Sequence, residues 1–175
     1  MATYQWKGAG YGLPYAAGQG QRLIKEIDVP TLIANGANAG LALVAAPNTG
    51  VALASTGFAA NDILEVFWVP KGTVILGCGA YVITGEGATC TINVGVTSTT
   101  ETHDLGGDID GWGVFNIETA LAADATDDAD GYGTDNYPGG IIYATNGSID
   151  VEFNHATDTA VFYVWAWGFW LGTLV

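Results

Sequence analysis

The sequence predicts an all-β protein: an antiparallel β-sandwich of jelly-roll type, with an extended N-terminal arm and a long acidic loop. Three observations predict it. Short runs rich in Val, Ile, Thr and aromatic residues recur between Gly, Pro and Asn turns, with almost no helical period. Two runs alternate with period two. Cys90, Ile92, Val94 and Val96 share one face against Thr89, Thr91 and Asn93, and Ile149, Val151 and Phe153 point in while Asp150 and Glu152 point out. Turn signals at Pro70-Lys71-Gly72, Thr84-Gly85-Glu86-Gly87 and Asn146-Gly147 cut these runs to strand length.

The 175 residues suffice for one domain, read as 21–175 behind an arm of residues 1–20. The arm sets Tyr4, Trp6, Tyr11 and Tyr15 among five glycines, Gly8, Gly10, Gly12, Gly18 and Gly20. Such a segment is flexible by itself, yet an aromatic every few residues is suited to burial, so it reads as an arm that orders on a partner. Its removal is expected to leave the β core folded. Residues 21–29 alternate loosely and stop at Pro30, which reads as a strand. Residues 31–60 hold short strand candidates at Leu41–Ala45 and Val51–Ala54 around a turn at Pro47–Gly50.

The strongest pattern is three strands, Asp62–Val69, Thr73–Ile83 and Ala88–Val96. A hairpin between the second and third would set Cys90 nearer Tyr81 than Cys78. The two cysteines are therefore expected to be buried free thiols rather than a disulfide. Residues 97–140 are acidic and Gly-rich, a long loop whose one helical hint is Asn116–Ala123 with Asn116 as cap. Strands resume at Ile141–Ala144 and Ser148–Asn154. In the closing run Thr159–Leu171, Val161, Tyr163, Trp165, Trp167 and Phe169 face one way, and Phe162, Val164, Ala166 and Trp170 face the other. Apolar side chains on both faces describe a strand covered twice, once by the core and once by a partner.

The net charge is −14 and is unevenly placed. Lys7, Arg22, Lys25 and Lys71 are the only basic residues and are balanced by Glu26, Asp28, Asp62 and Glu65, so all of the excess lies in residues 72–175. Phosphate backbones and anionic membrane surfaces are bound through Lys and Arg, so neither nucleic acid nor membrane is expected as a partner. The distribution reads as a neutral docking part and an acidic solvent-facing part. No basic-then-apolar leader and no spanning helix is read.

Catalytic patterns are missing from the sequence. His103 and His155 have no nucleophile beside them, and no Gly-x-Ser-x-Gly, HExxH or phosphate loop occurs. Asp128-x-Asp130-Gly131 and Asp108-x-Asp110-Gly111 each match only the middle of a calcium loop. The chain is thus read as no enzyme, with no cofactor and no metal.

From Asp62 onward the chain resembles the decoration or cement proteins of tailed bacteriophage capsids. The resemblance rests on Asp62-Ile-Leu-Glu-Val-Phe-Trp-Val-Pro-Lys-Gly-Thr-Val-Ile-Leu, on Ala88-Thr-Cys-Thr-Ile-Asn-Val-Gly-Val, and on Gly147-Ser-Ile-Asp-Val-Glu-Phe-Asn-His-Ala-Thr-Asp-Thr-Ala. It implies a structural virion protein on the outer capsid surface, made in the host cytoplasm, trimeric, and bridging capsomers by binding the major capsid protein. The alternative is a carbohydrate- or host-surface-binding module of a head or tail fibre. In either case the candidate contact residues are Tyr4, Trp6, Tyr11, Tyr15, Trp165, Trp167 and Trp170.

Overall fold

The computed structural model describes residues 1–6, 20–87, 89–96, 108–119 and 140–171. Their strands are β1 (Thr3–Trp6), β2 (Gly20–Asp28), β3 (Leu41–Leu43), β4 (Ile63–Val69), β5 (Thr73–Thr84), β6 (Thr91–Val96), β7 (Asp108–Asn116), β8 (Ile141–Ile142), β9 (Gly147–Phe153) and β10 (Val161–Trp170). They form two sheets, ordered β3-β1-β4-β9-β6-β7 and β2-β10-β5-β8. The antiparallel pairs β6/β7, β5/β8, β4/β9 and β2/β10 nest one inside the next along the chain. Contacts β6/β9 and β5/β10 close the rolled ladder into two layers. This is the jelly-roll winding. The all-β sandwich expected from the sequence is therefore present, with β1 and β3 added to one sheet. The β1/β4 pairing is parallel, so that sheet is mixed rather than purely antiparallel.

The winding corrects the pairing expected around residues 84–87. β5 and β6 are not a hairpin; they lie in opposite sheets, because β5 pairs with β10 and β8 while β6 pairs with β7 and β9. Both cysteines are free and buried. The chain passing between the layers is held by Glu86, whose carboxylate accepts the backbone N–H groups of Asp158, Thr159 and Ala160 at 2.9–3.0 Å.

The segment expected as an arm begins inside the domain. β1 lies between β3 and β4, and only residues 7–19 fall outside the described residues. Asp62 explains the anchoring. Its carboxylate is almost wholly buried and accepts the N–H groups of Ala2 (2.6 Å) and Ala59 (3.0 Å). A buried carboxylate needs such donors, and the chain start supplies one of them.

Four further readings differ from expectation. Pro30 does not merely stop β2; it lies in the first turn of a short helix, α1 (Val29–Asn35), capped by Asp28, whose Oδ1 accepts from Thr31 N at 2.9 Å. Val51–Ala54 makes only an isolated bridge, from Ala54 to Gly57. The acidic loop contains β7, and its partial calcium pattern Asp108–Gly111 is therefore strand. Residues 116–119 are not helical, and Asn116 Oδ1 instead closes a turn with Glu118 N at 2.7 Å. Residues 120–139, with Asp128 and Asp130, lie outside the described residues, as does His103.

The core between the layers joins both sheets. Phe153 of β9 stacks on Phe58 with centroids 4.1 Å apart and meets Phe162 of β10 edge-on at 6.3 Å. Trp112, Phe115, Tyr143, Val151 and Val164 are also buried there. Tyr143 satisfies its hydroxyl by donating to the Ser148 carbonyl oxygen at 2.9 Å.

Candidate functional site

β10 is an inner strand of the four-stranded sheet, between β2 and β5, and explains the double apolar pattern. Phe162, Val164 and Ala166 point into the core and are buried. Tyr163, Trp165 and Trp167 point outward, where partners on β2 and β5 complete three rows across the sheet: Arg22–Trp167–Gly77, Ile24–Trp165–Gly79 and Glu26–Tyr163–Tyr81. The glycines give the indoles room. A Cβ at Gly79 would stand 2.7 Å from ring atoms of Trp165, and one at Gly77 would stand 3.4 Å from Trp167. Each indole therefore covers a glycine of the neighbouring strand; a side chain at Gly79 would displace Trp165, whereas a Cβ at Gly77 would only touch Trp167.

This face is apolar and open. Ile24 is 55% exposed and Trp167 43%, and Tyr81, Ile83 and Ile142 are exposed beside them. Its polar groups are few. Arg22 lies 5.9 Å from the Trp165 ring centroid, a cation–π distance. The Tyr163 hydroxyl donates to Glu26 Oε2 at 3.1 Å, and this bond to the carboxylate raises the phenol's pKa.

Of the residues singled out in the sequence, Trp165 and Trp167 lie on this face. Trp170 does not; its indole N–H donates to the Lys71 carbonyl oxygen at 3.0 Å, fastening the end of β10 to the β4–β5 turn. Tyr4 packs edge-on against Phe58 at 5.4 Å, and Trp6 lies under the Lys25 ammonium at 3.9 Å; both are partly buried and pack against the core. Tyr11 and Tyr15 fall outside the described residues. Sequence reasoning missed Ile24, Tyr81 and the two glycines. The alternation Gly77-x-Gly79 opposite Trp165-x-Trp167 was the available signal.

Within the described strands, charge also separates by sheet. β5, β8 and β10 carry no charged residue, and β2 balances Arg22 and Lys25 against Glu26 and Asp28. The other sheet carries Glu65, Asp108, Asp110, Asp150 and Glu152 and no basic residue. Asp150, expected to point to solvent, is fully buried beside Glu65, its cross-strand partner. Glu152 accepts from Asn93 Nδ2 at 2.8 Å, and Asn154 Nδ2 donates to Asn93 Oδ1 at 2.7 Å.

Burial, reinforced by Asp150, pushes the Glu65 carboxyl up to about 7. A folded-state value above the unfolded 4.5 means that protonation favours the folded form. This contribution is complete below the unfolded value and is lost as pH rises through about 7. The melting temperature of the wild type is therefore expected to fall between pH 5 and pH 8 relative to Glu65→Gln. The change is on the order of 1 kcal/mol once partial exposure is allowed for. Parallel pH profiles for the two proteins would contradict this.

The described residues show no activated nucleophile. Burial raises the pKa of both thiols, well above the usual value for Cys78, and a protonated thiol is a poor nucleophile. Among the described residues no group of three His, Cys, Asp or Glu side chains is placed to hold a metal ion.

No family model and no curated protein matches the chain. Among solved structures, a chain in the acidic stable capsid structure of Helicobacter pylori bacteriophage KHP30 aligns over 90% of this chain and 92% of its own length, with a TM-score of 0.50 and 11% identity. A chain in the capsid of Ralstonia phage GP4 aligns over 95% and 97%, with a TM-score of 0.46 and 15% identity. The likeness to the KHP30 chain is one of fold, a two-layered all-β sandwich also found in a phage capsid.

Proposed function

We propose that this chain is a structural protein of a tailed-phage virion, bound on the outside of the capsid and strengthening the shell by bridging neighbouring capsomers through the outer face of the four-stranded sheet. It acts without catalysis, cofactor or metal, and its shell partner is the major capsid protein. The observation that carries the reading is the open face around Trp165 and Trp167, on a sheet whose three strands β5, β8 and β10 are uncharged in a chain of net charge −14. Free-standing domains seldom keep a contiguous aromatic patch exposed, and patches of this kind are contact surfaces. The fold shared with a chain of a phage capsid structure supports the setting.

The jelly roll also serves lectins, so fold does not decide between shell and sugar. The neighbours of the indoles favour a protein partner. A sugar platform needs hydrogen-bonding side chains beside its aromatic rings to hold the hydroxyls. Here most neighbours are the apolar Ile24, Ile83 and Ile142; of the charged ones, Arg22 lies over the Trp165 ring and Glu26 is engaged by Tyr163.

The test is to mix the purified protein with capsid shells lacking it, pellet the shells, and heat them. Co-pelleting with a raised disassembly temperature is expected. A protein that stays in the supernatant and instead binds a glycan array would overturn the proposal.

A further inference from the structure

We infer that the outer face of the four-stranded sheet pairs with the same face of a second copy of this chain, about a twofold axis lying along the row Ile24–Trp165–Gly79. The inference rests on reading this face as the bridging surface: each chain stays bound to the major capsid protein of its own capsomer, and the face joins it to a copy on the neighbouring one.

The face is complementary to itself about that row. A twofold in the interface plane, perpendicular to the strands, turns the copy over so that each row meets its opposite. Arg22 then faces the copy's Glu26, and Glu26 faces the copy's Arg22. On β10, Trp167 meets the copy's Tyr163. On β5, Gly77, which its own chain's Trp167 indole covers, meets the copy's Tyr81. Ile24 meets its own equivalent on the axis. All nine of these residues hold their places through the continuous β2/β10/β5 register, with Ile24 aligned to Trp165 and Trp165 to Gly79. An isologous contact requires this kind of self-complementarity, and sheets packed face to face run closely aligned as the axis demands.

A trimer has no such twofold, and the inferred pair replaces the threefold assembly implied by the resemblance. The size of the face predicts the strength of the contact. Three strands spaced by about 4.8 Å and about 30 Å long present roughly 450 Å². A standard interface buries about 800 Å² per partner. The pair is therefore weak and reversible in dilute solution, and forms where copies are held close together on a surface.

Sedimentation equilibrium of the full chain tests this. The expected weight-average mass rises from one chain at about 1 μM towards two at about 1 mM, a range that fits so small an interface. Arg22→Glu and Glu26→Arg should each weaken pairing by about tenfold or more, and the double exchange should restore it, since it only inverts the two contacts. Melting temperatures of the single variants report whether the fold is kept, and the restored pairing of the double variant excludes misfolding as the cause. A chain that remains monomeric at about 1 mM, a trimer, or a dimer indifferent to both single exchanges overturns the inference. If a chain that stays monomeric in solution still raises the disassembly temperature of shells, the pairing is wrong and the contact-face reading stands.

Discussion

Deleting residues 1–6 is expected to destabilise the domain by about 4–6 kcal/mol, a large fraction of the 5–15 kcal/mol typical of a folded protein. β1 is the only strand joining β3 to the rest of its sheet. Its loss removes the backbone bonds from Val44 N to the Thr3 oxygen (3.1 Å) and from Ile63 N to the Ala2 oxygen (2.9 Å). Tyr4 and Trp6 are partly buried and contribute roughly 1–2 kcal/mol each. The buried Asp62 carboxylate keeps Ala59 as a donor but loses Ala2, at a further cost of about 1–3 kcal/mol. Urea unfolding should show the midpoint falling by roughly 2 M or more for a chain of this size. An unchanged midpoint would mean that residues 1–6 are the free arm their composition suggests.

Phe153→Ala should cost about 3–5 kcal/mol. Phe153 is fully buried, stacked 7° from parallel on Phe58 and edge-on to Phe162 of the opposite sheet, so its removal opens a cavity between the layers. A melting temperature lower by roughly 10 °C follows for a domain of this length. Phe153→Leu keeps most of the volume and should lose under about 1.5 kcal/mol. Equal losses for the two variants would show that the site relaxes around the missing ring.

What the sequence makes legible follows from how far apart the deciding contacts lie. Period-two alternation is written in consecutive residues, so β6 and β9 were readable, and apolar runs between turn signals marked β4, β5 and β10. Strand pairing is not, because β4 meets β9 and β5 meets β10 across 77 residues or more of chain. β7 was hidden by one residue. Gly113 has φ of 121°, and Trp112, Phe115 and Ile117 are all buried around it. Such a conformation suits glycine at a bulge and breaks the alternation that would have marked the strand. Asp150 shows the reverse error. Its spacing from Ile149 and Val151 does place it on the outward face, but spacing says nothing about what covers that face. α1 was signalled by Asp28 and Pro30, an N-cap and a first-turn proline, which also read as a strand stop. At the contact face, Trp165 and Trp167 were legible because β10 is apolar on both sides. Ile24, Tyr81, Arg22 and Glu26 became part of the site only through the register with β2 and β5.

Bridging of the shell by this face can be tested on the shell itself. The most direct measurement is the disassembly temperature of capsid shells loaded with the wild type or with a folded Trp167→Ser protein at equal occupancy. The wild type is expected to raise that temperature and the variant to leave it unchanged. A variant that strengthens the shell as much as the wild type would contradict it, and the bridging contact would then lie elsewhere on the chain.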